Sequence, residues 1–145
     1  MRILISVLVL MVMGVAVAQR PMVKAGPGGS SIVEVVCDDA FRAVDPVTRA
    51  EMVQQFRTNI IVRCVARAVT GSGRVQPSEF SYKNRYTSDE RVRSLSLSDF
   101  TAGYGEVYGG VEREFFIRLP NQERPWVIML YFAGDATQIV FRTDR

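Results

Sequence analysis

The chain has 145 residues and a formal net charge of +3, with no histidine and two cysteines. Without histidine, the Ser-His-Asp and Cys-His nucleophile systems are excluded, and so are zinc sites that depend on imidazole. The basic excess is small and the charges are intermixed, so we expect no nucleic-acid partner. Composition therefore favours a protein that is not an enzyme and holds no cofactor or metal.

The first 18 residues have the three parts of a secretory signal peptide. Met1-Arg2 supplies a positive start, residues 3–12 an apolar run, and Ala16-Val17-Ala18 a small-x-small cleavage site. The apolar run is too short to cross a bilayer of roughly 30 Å as a helix, so we expect no membrane span. We predict a secreted, extracellular protein whose mature chain begins at Gln19.

Residues 19–31 are predicted to form a flexible Gly/Pro leader. They show no hydrophobic periodicity and are interrupted by turn-forming residues, namely Pro21, Gly26, Pro27, Gly28 and Gly29. The remaining residues, 32–145, are long enough to bury a single hydrophobic core. We therefore expect one secreted domain over 32–145, and we expect it to be a monomer.

A short strand followed by a long helix is predicted at the start of this domain. Alternation places Val33, Val35 and Cys37 on one face of the strand. Asp45 can cap a helix, and Pro46 suits its first position. Apolar residues then recur at steps of three and four and predict one buried helical stripe: Val47, Ala50, Val53, Phe56, Ile60, Cys64 and Ala68, with Gly71 as terminator.

An alternative is open for the last two turns of this helix. Ile60-Ile61-Val62 is β-branched, which lowers helix propensity, and Ile60, Val62 and Cys64 also alternate as in a strand.

The two cysteines, Cys37 and Cys64, are even in number in an oxidising compartment and predict one disulfide. Two buried thiols are the alternative.

The rest of the chain is predicted to form strands. Phe80, Tyr82 and Tyr86 share one face, and Leu95 with Leu97 marks a second, weaker strand. A half-buried strand follows, with its apolar residues on one parity: Val107, Val111, Phe115, Ile117 and Leu119. Residues 126–133 are apolar on both parities, as in a central strand, and Gly134-Asp135 turns the chain into a last strand.

This order of elements predicts an α+β fold. Four to five antiparallel strands leave one sheet face to cover, and the long amphipathic helix is the available cover. We therefore expect a single domain with that helix packed on the sheet.

Acidic residues are the candidates for chemistry that does not need histidine. A carboxylate pair could be drawn from Asp99, Glu106, Glu112 and Glu114, although their spacing suits a solvent-facing strand better. Asp38-Asp39 and Asp135 carry oxygens that calcium could use, but helix-capping and turn roles are favoured for them. We therefore predict no catalytic residues.

Two short segments resemble the wedge of cystatins, which are secreted inhibitors of papain-like cysteine proteases. Glu106-Val107-Tyr108-Gly109-Gly110 stands where the family has a Gln-x-Val-x-Gly hairpin, with Glu106 in place of Gln and Tyr108 in place of Val. Pro125-Trp126 resembles the later Pro-Trp hairpin, and the leader glycines resemble the amino-terminal glycine trunk. The resemblance implies a helix across an antiparallel sheet and the following partner-binding residues: Tyr108, Gly109, Gly110, Pro125 and Trp126.

These observations lead to three hypotheses of different classes. The first is a secreted, non-enzymatic extracellular protein that binds an extracellular macromolecule or forms part of a secreted matrix, such as the framework of a shell or other biomineral. The alternative, implied by the resemblance, is a cystatin-like cysteine protease inhibitor. A hydrolase built on the carboxylates is a third, weaker hypothesis.

Overall fold

The computed structural model of the protein describes residues 20–57, 60–87, 90–101, 104–119 and 127–141. The predicted signal peptide lies outside these ranges, and so do Pro125 and Trp126. Within them, no helix is long and apolar enough to cross a membrane.

The described residues are mostly in strands. These are β1 (Met22–Ala25), β2 (Ile32–Asp39), β3 (Ile61–Thr70), β4 (Ser72–Val75), β5 (Phe80–Asn84), β6 (Arg93–Ser94), β7 (Gly105–Tyr108), β8 (Glu112–Arg118), β9 (Val127–Phe132) and β10 (Asp135–Val140). The helical elements of the same residues are α1 (Ala40–Ala43) and α2 (Pro46–Phe56), with short 3-10 turns at Pro27–Gly29, Pro77–Glu79 and Leu97–Asp99.

Two antiparallel four-stranded sheets of the described residues pack face to face. The first has the order β1-β2-β3-β8 and the second the order β10-β9-β5-β6. Their inner faces share one hydrophobic core, in which Phe80 of the second sheet lies 5.8 Å from Phe115 of the first, ring centre to ring centre. This is a β-sandwich, so the predicted α+β fold with a long helix covering one sheet is wrong. The second sheet takes the place that the sequence pattern assigned to the helix.

The long helix was predicted correctly at its start and wrongly at its end. Asp45 caps α2 by accepting hydrogen bonds from the backbone N–H groups of Val47 and Thr48, each at 3.0 Å. The helix ends at Phe56, because Arg57 adopts a left-handed conformation with a φ of 55°. The β-branched residues that follow form β3, so the strand was the correct alternative there. The predicted buried stripe is also wrong within α2: Val47 is 69% exposed, and the buried side chain is Met52, which packs against Ala40 and Ile61 on the outside of the first sheet.

Cys37 and Cys64 form a disulfide across β2 and β3. They face each other directly in the register of the two strands, with their Cα atoms 4.1 Å apart. Both are fully buried, and their alternate neighbours Val35, Val62 and Ala66 also point into the core. Cys64 therefore reaches Cys37 from a strand and not from the predicted helix.

The predicted flexible leader contains an ordered strand. Met22–Ala25 pairs antiparallel with residues 32–35 as β1, and Met22 is completely buried. The glycines that suggested flexibility form the turn between these strands, which is closed by a hydrogen bond of 2.8 Å from the Gly26 N–H to the Ser31 carbonyl. Four residues are too few to show a periodicity, so this strand could not be recognised by pattern.

One long, bent ribbon joins the first sheet to the end of the sandwich. β3 continues into β4, and β7 into β8, with Arg67 opposite Glu112 in one arm and Ser72 opposite Tyr108 in the other. The bend falls at Gly71, which has a φ of 63°, and at the turn after Tyr108. Beyond it, Gly73 lies so close to Val33 that a Cβ atom at this position would overlap the valine side chain. The strand predicted from 107 to 119 is thus divided in two.

The second sheet agrees with prediction at β9 and β10 but not at β6 or at the end of β5, because that strand ends at Asn84 and Tyr86 is exposed instead of sharing the buried face of Phe80 and Tyr82. β9 lies between β5 and β10, and a two-residue turn, Ala133-Gly134, has positive φ at both positions. Leu95 and Leu97 do not form the predicted strand, because pairing with β5 ends at Ser94 and Leu97 begins a 3-10 turn.

Cationic side chains cover carbonyl groups at strand edges. At β10, Arg20 donates to the Ala136 carbonyl at 2.7 Å, and Arg42 donates to the Val140 carbonyl at 3.2 Å. At the β4–β7 ribbon, the Lys24 ammonium donates to the Arg74 carbonyl at 2.8 Å, and an Arg113 guanidinium donates to a Glu106 carbonyl at 2.6 Å. Charged side chains at an edge hinder its pairing with another strand.

Candidate functional site

The turn between β7 and β8 presents Tyr108, Gly109 and Gly110, which the sequence singled out, together with exposed apolar side chains that it did not. Tyr108 is 48% exposed, Val111 is 37% exposed, and Val69 at the end of β3 is 50% exposed. Gly109 and Gly110 lie between Tyr108 and Val111 in a β-turn that is closed by a 3.1 Å hydrogen bond from the Val111 N–H to the Tyr108 carbonyl. We call this group, Val69, Tyr108, Gly109, Gly110 and Val111, the tip surface.

Shallow grooves flank the tip surface on both sides. One, of about 490 Å³, is lined by residues of the β3–β8 arm: Arg67, Ala68, Gly110, Val111 and Glu112. The other, of about 450 Å³, lies on the β4–β7 arm: Ser72, Gly73, Arg74, Glu106 and Tyr108. The edge carbonyls of Arg74 and Glu106 are already bonded to Lys24 and Arg113, so a partner strand could not pair with them.

A larger groove lies at the same end of the sandwich, beside the ribbon. It has a volume of about 590 Å³ and is lined by Arg74, Val75, Gln76, Pro77, Ser78, Leu95, Leu97, Tyr104 and Gly105. We call it the end groove. Its lining is mainly apolar, and Leu97 stands 63% exposed at its margin. Arg74 lines both this groove and the smaller one next to Tyr108.

The walls of the end groove are held by capping interactions of its 3-10 turns. In the Pro77–Glu79 turn, the Glu79 carboxylate accepts a 3.0 Å hydrogen bond from the Gln76 N–H. In the Leu97–Asp99 turn, the Asp99 carboxylate accepts one of 2.9 Å from the Ser96 N–H. Lys24 adds an ion pair with Glu79 at 2.7 Å. These contacts stabilise the two turns that form the walls of the groove.

Arg74 is the cation of the end groove. Among the described residues, its guanidinium has no hydrogen-bond or ion-pair partner, and no other charged side chain of that part of the chain lines the groove. Glu106 lies directly opposite on β7, but the two do not form an ion pair. The guanidinium donors are therefore open to an anion.

The outer face of the first sheet carries charged side chains that form ion pairs with one another. Arg67 pairs with Glu34 at 3.0 Å, and Arg63 pairs with Glu114 at 2.7 Å, across neighbouring strands. A depression of about 330 Å³ runs between these pairs. Cross-strand pairs of this kind contribute about 0.2–1 kcal/mol each and occupy the charges that a ligand would need.

The structure does not assemble the acidic candidates into a carboxylate pair. Asp99 is nearly buried and caps its own turn, whereas Glu106 lies on the ribbon and Glu114 is paired with arginine. Glu112 lies on the outer face. In the described ranges, no group of three or more histidine, cysteine or acidic side chains is placed to hold a metal ion.

The aspartates considered for calcium have structural contacts. Asp38 pairs with Arg42 at 2.9 Å, and Asp39 accepts a hydrogen bond from the Phe41 N–H at the start of α1. Asp135 accepts hydrogen bonds from the N–H groups of Val23 and Ala136, at 3.0 and 2.8 Å. The Val23 bond first, then the Ala136 bond and the charge of Arg20, lower the pKa of Asp135 from its usual 3.8.

Sequence reasoning found part of this surface. Tyr108, Gly109 and Gly110 lie together at the tip, while the positions of Pro125 and Trp126 lie outside the described residues. Arg74 and Leu97 were missed as lining residues. A lone arginine and a leucine in a polar stretch give no periodic signal, and only the pairing of the ribbon brings them to one groove.

Comparison with known proteins adds little. No family model matches the chain, and no curated protein matches it. Among solved structures, the chain is similar to MPT63, a secreted protein from Mycobacterium tuberculosis, with 7% sequence identity, a TM-score of 0.41, and coverage of 85% of this chain and 92% of that one. A TM-score this low carries no argument about fold or function.

Proposed function

We propose that this is a secreted extracellular protein that acts by binding another macromolecule and not by catalysis. A buried disulfide stabilises a small β-sandwich, and disulfides persist in oxidising compartments outside the cytosol. The amino-terminal segment, which has the three parts of a secretory signal peptide, also supports an extracellular location. A framework role in a secreted matrix is one form that such binding can take.

The tip surface is the proposed contact with the partner. The observation that carries this proposal is the exposure of Tyr108 and Val111 at the two ends of the Gly109-Gly110 turn, with Val69 also exposed at the end of β3. Tyrosine presents a large, rigid contact area with a polar end, and it is enriched at binding interfaces. The adjacent glycines leave the backbone of the turn open to close approach.

The compartment is tested by collecting the protein from outside cells that express the full chain. Amino-terminal sequencing should read from Gln19, and non-reducing peptide mapping should recover Cys37 and Cys64 in one linked species. Retention inside the cell with Met1 intact, or recovery of free thiols, would refute the extracellular proposal.

Partner binding is tested by comparing Tyr108→Ser with Tyr86→Ser, a second exposed tyrosine that lies outside the tip surface. The native secretion is separated by size, and the elution of each tagged variant is followed. Wild type and Tyr86→Ser should elute in a larger complex, whereas Tyr108→Ser should elute at the mass of the free chain. Equal elution of the two variants would exclude the tip surface as the contact.

Protease inhibition is the second candidate function, favoured by the exposed Tyr108-Gly109-Gly110 turn. Such a turn could enter a protease cleft and present backbone without a scissile bond in register. Titration against papain tests it: an inhibitor should abolish activity at micromolar protein, and Tyr108→Ser should weaken inhibition more than Tyr86→Ser. Full papain activity at that concentration would remove this candidate and leave the binding proposal standing.

A further inference from the structure

The end groove has the size and composition of a site for a small ligand. Its 590 Å³ falls within the range of about 300–1,000 Å³ that is typical of ligand pockets. Apolar groups from separate elements converge on it: Val75 from the ribbon, Pro77 from one turn, and Leu95 and Leu97 from the segment after β6. Tyr104 closes the lining and packs edge-on against Phe100, with the ring centres 6.1 Å apart.

The positive charge of Arg74 indicates that a ligand of the groove should be negatively charged. Arg74 is the charged member of the described lining, and its guanidinium has no partner among the described residues. Arginine suits a planar carboxylate, to which it can donate two parallel hydrogen bonds. A ligand with an apolar body and one carboxylate would match both parts of the groove.

The strand edges favour a small amphiphile over an extended peptide. A peptide that adds to a sheet obtains much of its affinity from main-chain hydrogen bonds to an open edge. Here the edge carbonyls of Arg74 and Glu106 are already bonded to Lys24 and Arg113. A ligand of this groove therefore cannot use these two carbonyls, and it meets apolar side chains, the Arg74 guanidinium and the polar side chains of Gln76 and Ser78.

We propose that the end groove binds an amphipathic carboxylate of the medium-chain fatty-acid class. The alkyl chain lies against Leu95, Leu97 and Tyr104, and the carboxylate is bound by Arg74. The site involves other residues than the tip surface, so it stands or falls independently of the proposed partner contact.

Leucine methyl NMR gives a direct test, because leucine is rare in this chain. After residue 18 the sequence contains Leu95 and Leu97 in the groove and Leu119 and Leu130 in the core, and no others. Decanoate, added below its micelle concentration, should shift the methyl signals of Leu95 and Leu97 saturably and leave those of Leu119 and Leu130 in place. Equal shifts of all four would indicate a detergent effect and overturn the proposal.

The head group is tested with matched probes and variants. Decanol and decyltrimethylammonium keep the alkyl chain without the negative charge, and both should bind about tenfold more weakly than decanoate. Arg74→Gln should reduce the affinity for decanoate to that for decanol. Glu106→Gln removes the acid opposite Arg74 and should raise the affinity for decanoate about twofold. Lys83→Gln, a cation outside the groove, should change nothing.

The apolar part is tested by Leu97→Ser, with Val47→Ser as the matched control. Both side chains are highly exposed, so neither change should disturb the fold. Leu97→Ser should weaken decanoate and decanol alike by about fivefold, as expected for loss of apolar area that the bound alkyl chain would cover. Unchanged affinity in Leu97→Ser, or unchanged affinity in Arg74→Gln, overturns the proposal. A peptide with adjacent leucine and glutamate that shifts Leu95 and Leu97 when decanoate does not would also overturn it, in favour of a peptide ligand.

Discussion

Asp135 joins the amino-terminal strand to the last hairpin, and its replacement by asparagine should loosen that junction. One carboxylate oxygen accepts the Val23 N–H at 3.0 Å, and the other accepts the Ala136 N–H at 2.8 Å and the Arg20 guanidinium at 3.1 Å. Asparagine can keep the second set of bonds. Its amide NH₂ would then face the Val23 N–H, donor against donor, and β1 would lose its bond to the hairpin.

The expected cost of Asp135→Asn is about 1–2 kcal/mol at neutral pH. A hydrogen bond to a charged group contributes about 1.5–3 kcal/mol, and the partial exposure of this carboxylate lowers that value. The ion pair with Arg20 adds little, because the guanidinium is mostly exposed. The fold lowers the pKa of Asp135 from 3.8, so its contribution is present above that pH and is lost as the pH falls through the folded-state pKa.

Urea unfolding followed by circular dichroism measures this contribution. The difference between wild type and Asp135→Asn should be largest at pH 7 and should shrink below about pH 3.8. Amide exchange of Val23 should be faster in the variant at pH 7. Glu112→Gln is the control, because the Glu112 carboxylate is exposed and has no bonding partner among the described residues. A difference from wild type that is equally large at low pH, or an Asp135→Asn variant as stable as Glu112→Gln, would refute the reasoning.

The remaining predictions concern the frame of the sandwich. Gly73→Ala should cost about 1–3 kcal/mol in denaturant unfolding, because the added Cβ would overlap the stiff, buried Val33 side chain. Ala133→Gly should raise the free energy of unfolding by about 0.5–1 kcal/mol, since alanine holds a φ of 48° in a turn that favours glycine. Reduction of the Cys37–Cys64 disulfide should lower the free energy of unfolding by about 3.5 kcal/mol, because the bond closes a loop with a sequence separation of 27 and so restricts the unfolded chain.

Each of these predictions has a control or a contrary outcome. Gly109→Ala adds the same methyl group where no atom lies within 4 Å and φ is not positive, so it should be nearly neutral. Equal unfolding midpoints for Gly73→Ala and Gly109→Ala would contradict the packing argument. A destabilised Ala133→Gly variant would show that the turn does not strain alanine. An unchanged midpoint with both thiols shown to be free would contradict the disulfide estimate.

Features set by a few neighbouring residues were predictable from the sequence. Asp45-Pro46 fixes the start of α2 because the capping bonds reach only to residues 47 and 48. The turn at Gly134 and the last strand were predictable for the same reason. The end of α2 was not, because Cys64 and its neighbours satisfy both a helical and an alternating pattern, and the choice depends on pairing with β2 and β8.

The sandwich and its end groove depend on contacts that are distant in the chain. Helical spacing suggested a cover for the sheet, but the cover is a second sheet whose strands β5 and β9 are separated by more than forty residues. Similarly, Arg74 and Leu97 meet only because the ribbon bends at Gly71 and Leu97 begins a 3-10 turn. The Tyr108-Gly109-Gly110 turn could be located from the sequence because these residues are adjacent in the chain, and their role in binding stays a prediction.

The arginines that cover the edge of β10 bear on the solubility of this protein at high concentration. Without Arg20 and Arg42, the outer carbonyls of β10 would be open to the same strand of a neighbouring molecule, and such pairing can propagate into fibrils. We therefore expect Arg20 and Arg42, more than the core, to limit aggregation. Loss of these charges would lower solubility while the free energy of unfolding stayed nearly constant.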